Sequence, residues 1–563
     1  MTPEQALESF QLSPEFRIEL FAAEPHVIDP VDIAFDEFGN TYVAEMLDYP
    51  YKPDKGKARS RIRYLQDTDQ DGRVDFSVIF QDSLSEVTSI YPWKGGLLVC
   101  SAPQIKYLKD LDGDHKADSE EVLFTGFFEN NSEAQITNLK FNVDNWIYGS
   151  NHGNPGSVKF IRKPEIEPVS VQGTDFRFRL DLGLFEPAAG STQFGQAIDD
   201  WGNRFSTQNT IHLSQIVIPW EYLKGDSVNQ PKAPVQNISD HDLEMFQLTP
   251  APYWRAERTR RRQERYDTEM MDRIEYAEDH FTGCSGGTIY SANLFPESYH
   301  GSVFTGEVAG NLVHRDILVT GQGPLFVAKR HQSESDKEFL ASTDSWFRPA
   351  NLAVAPDGSL LIMDMYRQHI ETPLSIPEDL KQDMDFYRGD DMGRIYRIVP
   401  KNGTTTPGSQ PFPGERVTGD LVELLAHENR WWRLTAQRLL IERQDQSVLP
   451  QLKDMLINHP TPIARLHALY ALESLAGLNE NIISGVLEDS QPQLRVHAIR
   501  LAENYPNLVS KLNDMINDQS PLVAFQLALS LSQLESSENQ SALTHLQTRF
   551  GDDPWFIRAI NNE

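Results

Sequence analysis

The chain has 563 residues, 39% apolar, 24% charged and 10% aromatic, a globular composition that excludes a mostly disordered, collagenous or coiled-coil protein. Lys and Arg number 51 against 82 Asp and Glu, and the resulting net charge of −31 disfavours generic binding to nucleic acid or to anionic membranes. No apolar run reaches the ~20 residues of a membrane span, and Met1-Thr2-Pro3-Glu4 carries no signal peptide and reads as a trimmed start.

The chain divides near residue 400. Up to residue 398, short apolar strands alternate with Asp-Gly, Asn-Gly and Gly-Asn turns. One unit recurs: a strand, a turn rich in Asp, Asn and Gly, and a second strand. Its fullest form runs from Pro30 to Glu45; others start near Val87, Ile136, Phe194 and Cys284, and a clear one spans Arg348 to Met365. A two-strand hairpin cannot bury both faces alone, so six such units predict a six-bladed β-propeller over residues 1–398, with a stacked β-sandwich array as the alternative. The segments Phe16–Phe21 and Gly393–Ile398 are placed to pair and close the ring. Residues 215–280 break the rhythm and read as an insertion. They hold the basic run Arg255–Arg265, expected as a solvated helix or loop, with an anion- or partner-binding patch as the alternative.

Residues 399–418, rich in Gly, Pro and Thr, read as a linker. From 419 to 563 the apolar period becomes helical. Segments opening at Arg430, Pro462, Pro492, Pro521 and Pro554 follow one another at 32, 30, 29 and 33 residues, with second helices at 448–458, 481–488, 508–517 and 542–550. Pro suits a first helical turn, and Thr461, Gln491, Ser520 and Asp553 stand at cap positions. The pattern predicts an all-α array of HEAT-like repeats, an architecture used for scaffolding and docking. Its last repeat has a first helix without a second, so the array is expected to continue past residue 563.

Two cysteines, Cys100 and Cys284, read as buried free thiols, and the chain has no Cys/His zinc pattern, no phosphate loop and no Cys-x-x-Cys-His. The most specific local motif is aspartate-rich. Asp67, Asp69, Asp71 and Asp75 stand at positions 1, 3, 5 and 9 of a calcium-type loop, with Gly72 at 6, Arg73 counted in the ligand set, and Val78 where a Glu is usual. Asp110, Asp112, Asp114 and Asp118 repeat the spacing, with His115 at 6 and Glu121 at 12. A structural calcium is the expectation, and an acidic turn that binds nothing the alternative.

In an antiparallel blade, the start of the innermost strand and the end of the next lie at one edge of the sheet, so around a ring they converge on one channel mouth. That rim predicts a polar pocket. Glu45, Asn138, Asn151, Gln193, Asn209 and His314 are the expected substrate contacts, with His212 and Glu307 at the same rim. His152, in a Gly-containing loop, is the candidate general base, and Asp364 is placed to orient it, to orient an arginine, or to bind a metal. Arg348 and Arg367 are placed to clamp carboxylates or an oxyanion. His467 and His497, on repeat helices, read as packing residues.

The strings FRIELFAAEP, DPVDIAFDEFGNTYVAEMLDYP, DNWIYGSNHGN, FGQAIDDWGNRF, EFLASTDSWFRPANLAVAPDGSLLIMDMYR and GDDMGRIYRI together resemble the bacterial membrane-bound dehydrogenase β-propeller family. That family is distantly similar to quinoprotein soluble glucose and sorbosone dehydrogenases, and its members often carry HEAT repeats and then a c-type cytochrome module. The resemblance implies a periplasmic or cell-surface oxidoreductase of sugars or other alcohols that uses pyrroloquinoline quinone. His152 would remove the substrate hydroxyl proton; Arg315, Arg348 and Arg367 would hold the quinone carboxylates, with Asn351 and Tyr366 beside them. Electrons would leave to a separate c-type cytochrome. Two other classes stay open: a hydrolase or lactonase with a channel cation held by Glu45, Asn151 and Asp364, and a non-catalytic glycan- or protein-binding propeller on a helical scaffold.

Overall fold

The computed structural model describes residues 1–223, 234–321, 323–403, 410–534 and 537–561. Its six antiparallel sheets are the blades of a propeller. The innermost strands are Pro30–Phe35, Val87–Trp93, Thr137–Phe141, Gly195–Ile198, Cys284–Ile289 and Pro349–Val354, which number the blades I to VI. Each lies beside the next, and the last returns to the first. Every repeat unit read from the sequence supplies the inner two strands of one blade. Ring closure is as expected: Phe16–Ala23 pairs antiparallel with Arg394–Pro400, so the two ends of the propeller segment share blade VI. Apolar faces are buried between neighbouring blades, for example by Trp93, Phe124, Phe176 and Phe178, or by Phe16, Phe295, Phe304 and Phe339.

The inner strands approach closely on one side of the channel. A Cβ on Gly195 would sit 2.6 Å from the Gly287 amide, and one on Gly286 would sit 2.6 Å from the Asn351 Cα. Only glycine fits there, and at Gly286 the backbone φ of +57° favours it further. Asp32 ties blades I, II and VI together: its carboxylate accepts the Ser89 hydroxyl at 2.7 Å, the Ile90 amide at 3.0 Å and the Asn351 side-chain amide at 3.1 Å.

The expected insertion at 215–280 is corrected in part. Val235–Asn237 is the outer strand of blade IV, and Tyr253–Thr268 is a helix. The helix is not a freely solvated one. Arg260 and Arg261 pair with Glu257, Glu264 and Asp379 on the outside, while Arg255 and Arg258 are buried.

Part of the linker, 404–409, lies outside the described residues. Beyond it, helices start at Arg430, Pro462, Pro492, Pro521 and Pro554. The second helices are Leu449–Asn458, Glu480–Val486, Val509–Asp514 and Ser537–Phe550. Thr461, Gln491 and Ser520 occupy N-cap positions, but their side chains cap nothing. Asp489 and Asp518, two residues earlier, accept the Gln491 and Ser520 amides instead. Among the described residues no helix is long and apolar enough to cross a membrane.

The helix Arg430–Arg443 closes one end of the channel and is bonded to all six blades. Arg438 pairs with Glu37, Glu442 accepts the Lys94 amide, and Gln437 donates to Val143 O. Arg433 pairs with Asp200, the Arg430 amide donates to Ser291 O, and the capping Asn429 donates to Ala355 O. His467 accepts from Arg433 and contacts Gln437, and His497 contacts Tyr470 and Trp201 O, so both are packing residues.

Candidate functional site

With one end of the channel closed by a helix, the other end opens into a pocket of about 950 Å³, solvent entrance included. Its apolar lining comes from Val31, Met46, Phe194, Val308, Ala350, Met365 and Ile370. Its polar groups include Gln135, Asn138, Gln193, Asn209, Asn351, Tyr49, Glu133, Arg255 and Glu371. The last four come from segments connecting strands or blades, not from the strand ends that the sequence singled out.

Glu133 accepts a 2.5 Å hydrogen bond from the Tyr49 hydroxyl, and burial, reinforced by the charge of Glu371, pushes its carboxyl up to about 7. Glu371 is held differently: Arg258 donates to it at 2.7 Å and the Arg255 guanidinium lies 3.7 Å away. Arg255 also donates to the Thr282 hydroxyl at 3.3 Å. Burial lowers its value, but guanidinium stays a cation in proteins. The pocket therefore sets a carboxyl that titrates near neutrality beside a carboxylate paired with arginine. A carboxyl raised towards neutrality by its surroundings is suited to general acid–base work. Unpartnered acceptors at Gln135 Oε1 and Asn138 Oδ1 add to the lining. Cys284 also faces the pocket, but burial pushes its thiol well up, away from a reactive thiolate.

Of the residues expected at this mouth, the structure places Asn138, Gln193, Asn209 and Asn351 on the lining. The others are corrected. Arg348 spends its guanidinium on the carbonyls of Arg367, Val308 and Gln368 at 2.7–3.0 Å. Arg367 is buried in a bidentate pair with Asp29, at 2.6 Å for both bonds. Arg315 lies on the third strand of blade V, stacked on Tyr299 and paired with Glu334. Glu45 is consumed by Arg61, Arg63 and the Ile28 amide. Asn151 donates to the carbonyls of Asn154, Val171 and Thr174. Tyr366 donates to Asp344 at 2.8 Å, and Arg394 stacks on its ring. His152 stands outside the pocket lining, where burial lowers its value, and His314 lies deep in blade V. These strand-end groups are polar because they knit the blades together, which is a structural demand as strong as a ligand's.

Asp364 is buried behind the rim. Its Oδ1 accepts the Arg348 and Tyr366 amides, its Oδ2 has no partner, and burial pushes its carboxyl up to about 7 despite those bonds. A folded-state value above the ordinary 3.8 means that this group's contribution to stability is full below 3.8 and lost as pH rises towards about 7. Asp364→Asn keeps the Oδ1 acceptor and removes the charge. It is expected to raise Tm relative to the parent at about pH 8 and to bring no gain at about pH 4. Calorimetry at the two pH values checks this, and an equal shift at both contradicts it.

The aspartate loops join third and fourth strands of blades I and II, away from the pocket. One carboxylate oxygen each from Asp67, Asp69 and Asp71 gather within 4.8 Å, as do those of Asp110, Asp112 and Asp118. The wider ligand sets are corrected. Asp75 spends both oxygens on Thr68, Asp114 is bonded by Lys116, the Arg73 side chain pairs with Glu4, and Glu121 pairs with Arg162.

No curated protein matches the chain. Among solved structures, the holo form of the pyranose dehydrogenase PQQ domain from Coprinopsis cinerea is 12% identical, with 69% of this chain and 97% of that one covered and a TM-score of 0.35. The apo form of the soluble aldose sugar dehydrogenase from Escherichia coli is 11% identical, with 69% and 100% covered and a TM-score of 0.35. A luciferin-regenerating enzyme is 10% identical, with 69% and 97% covered and a TM-score of 0.37. Residues 2–402, which include all six blades, match the family described as "Domain of unknown function (DUF7133)", and the chain belongs to that family.

Proposed function

We propose that the open channel mouth binds a small polyhydroxylated molecule, carbohydrate in class, and that Glu133 hydrogen-bonds one of its hydroxyls, donating when protonated and accepting when ionised. The observation that carries this reading is the pairing of Glu133, near 7, with an arginine-held Glu371 above an apolar floor. Carboxylates and side-chain amides match the donors and acceptors of a polyol, while Met46, Met365 and Ile370 suit the C–H faces of a sugar ring. A carboxyl poised near neutrality is available both to give and to take a proton.

The pyrroloquinoline quinone expected from the family resemblance does not fit the pocket. Its carboxylates need a cationic cradle. Among the described residues the lining offers one cation, Arg255, already beside Glu371, and two carboxyl groups. The arginines expected to supply the cradle are spent elsewhere.

The test is titration of mono- and disaccharides into the full chain and into Glu133→Gln and Arg255→Ala, followed by calorimetry. Binding is expected in the parent and about tenfold or more weaker in Arg255→Ala, a loss of about 1.4 kcal/mol or more. Glu133→Gln is expected to retain binding and to abolish any pH dependence of saccharide affinity centred near 7. Saccharide affinity unaltered in Arg255→Ala, or no saccharide binding by the folded parent, overturns the reading.

A further inference from the structure

Away from the mouth, between blades IV and V, three histidines meet one aspartate. His212 lies on Ile211–Ile216 in blade IV; His241 follows Val235–Asn237, just past a bridge between Ser239 and Ala328 of blade V; His314 and Asp316 lie on Leu312–Thr320 in blade V. Positions 314 and 316 are two apart on a strand and share a face, while Arg315 between them turns to the other side. His212 Nε2 is 2.8 Å from Asp316 Oδ2, and the Nε2 atoms of His241 and His314 are 3.2 and 3.3 Å from Asp316 Oδ1. One ligand atom from each of the four side chains falls within 4.8 Å of all the others.

Ligands bound at ~2.0–2.1 Å around a tetrahedral ion stand roughly 3.4 Å apart, close to the 3.2 and 3.3 Å that separate His241 and His314 from Asp316 Oδ1, while His212 is at hydrogen-bond distance from the other oxygen, Oδ2. His314 Nε2, on a side chain only 1% exposed, has no hydrogen-bond partner although Asp316 Oδ1 is 3.3 Å away. That is the arrangement of two ligands flanking one ion rather than of a donor aimed at an acceptor. The other nitrogen, His314 Nδ1, is 2.7 Å from Glu338 Oε2, and Glu338 is itself held by the Phe246 amide and Arg330. A carboxylate behind a ligating imidazole fixes the tautomer that leaves Nε2 free for metal, a recurring outer-shell device.

We infer that His212, His241, His314 and Asp316 bind one zinc ion. Three imidazoles and one carboxylate suit zinc and disfavour calcium or magnesium, which take oxygen ligands. The four protein ligands complete a tetrahedron, so the ion is structural and pins blade IV to blade V.

The test uses the full chain, free of tag and chelator, analysed for metals by mass spectrometry after exhaustive dialysis. The expected result is about one zinc per chain in the parent and about a tenth of that or less in His241→Ala. His241 is the most accessible of the ligands, with 15% of its side chain exposed, so this variant is the least disruptive to the fold. Metal-stripped parent refilled with cobalt should give the visible absorption of a four-coordinate site, absent in His241→Ala. A folded parent that retains no zinc and gives no such spectrum at saturating cobalt overturns the inference, as does unchanged zinc in His241→Ala. Should that variant fail to fold, the zinc content and cobalt spectrum of the parent decide the question alone.

Discussion

Arg367→Ala is expected to destabilise the protein by about 3–5 kcal/mol, the loss that follows when one partner of a buried ion pair is removed. Both Arg367 and Asp29 are fully buried, and the guanidinium grips the carboxylate with two bonds of 2.6 Å. Burial pushes Asp29 up to about 7 even with Arg367 opposing it, so without the arginine the carboxyl must take up a proton or stay ionised and unpaired in the interior at neutral pH. The pair also sits where the ring closes: the Asp29 amide donates to Met392 O beside blade VI, and its carbonyl accepts the Met46 amide at the end of blade I. Thermal and urea unfolding at about pH 7.5 measure the loss; a value below about 1 kcal/mol, typical of an exposed pair, contradicts the reading. The double variant Asp29→Asn/Arg367→Met should recover much of it, because the cost lies in the stranded charge rather than in the missing bond, and Asn tolerates the left-handed φ of +45° at position 29.

The same pair shows why the fold was legible in the sequence and the site was not. Strand, turn and strand repeat locally, so Pro30–Glu45 announces its own hairpin, and Phe16–Phe21 against Gly393–Ile398 announces closure. Strand-end arginines and carboxylates were equally visible, but the sequence does not say what they face. Arg367 meets Asp29 across more than 300 residues, and Arg348 meets three carbonyls, so groups that read as ligand clamps serve the interior.

The residues that do enter the pocket had weaker signals. Arg255 opens the basic run, whose outer members pair with helix and loop carboxylates; only tertiary packing decides that Arg255 and Arg258 turn inward to Glu371. Glu133 and Tyr49 lie in loops of no regular period, and nothing local marks them. The histidine cluster escaped for a related reason. Zinc patterns are recognised by short spacings, whereas positions 212, 241, 314 and 316 become neighbours only when blades IV and V stand side by side.

Asp200→Asn is expected to loosen the helix Arg430–Arg443 from the propeller at a cost of roughly 2–3 kcal/mol at neutral pH. Asp200 stands at the hairpin turn of blade IV, where its Oδ1 pairs with Arg433, lies 3.9 Å from Arg430, and its Oδ2 accepts the Ser291 hydroxyl at 2.6 Å. Burial works against the charge, but Arg433 and Arg430 hold the carboxyl down at about 2. A depressed folded-state value means that the contribution is present above the ordinary 3.8 and is lost as pH falls towards about 2. The parent should therefore lose this stabilisation in acid, and Asp200→Asn should lose it at every pH. Hydrogen exchange is the sharper readout, because the helix is bonded to all six blades and local loosening there uncovers the closed end of the channel. The amides of Arg430–Arg443 are expected to exchange about tenfold or more faster in the variant while blade strands far from blade IV keep their protection. Unchanged protection in that helix would mean that the remaining contacts, Arg438 with Glu37 and Gln437 with Val143 O among them, hold the array in place without the charge pair.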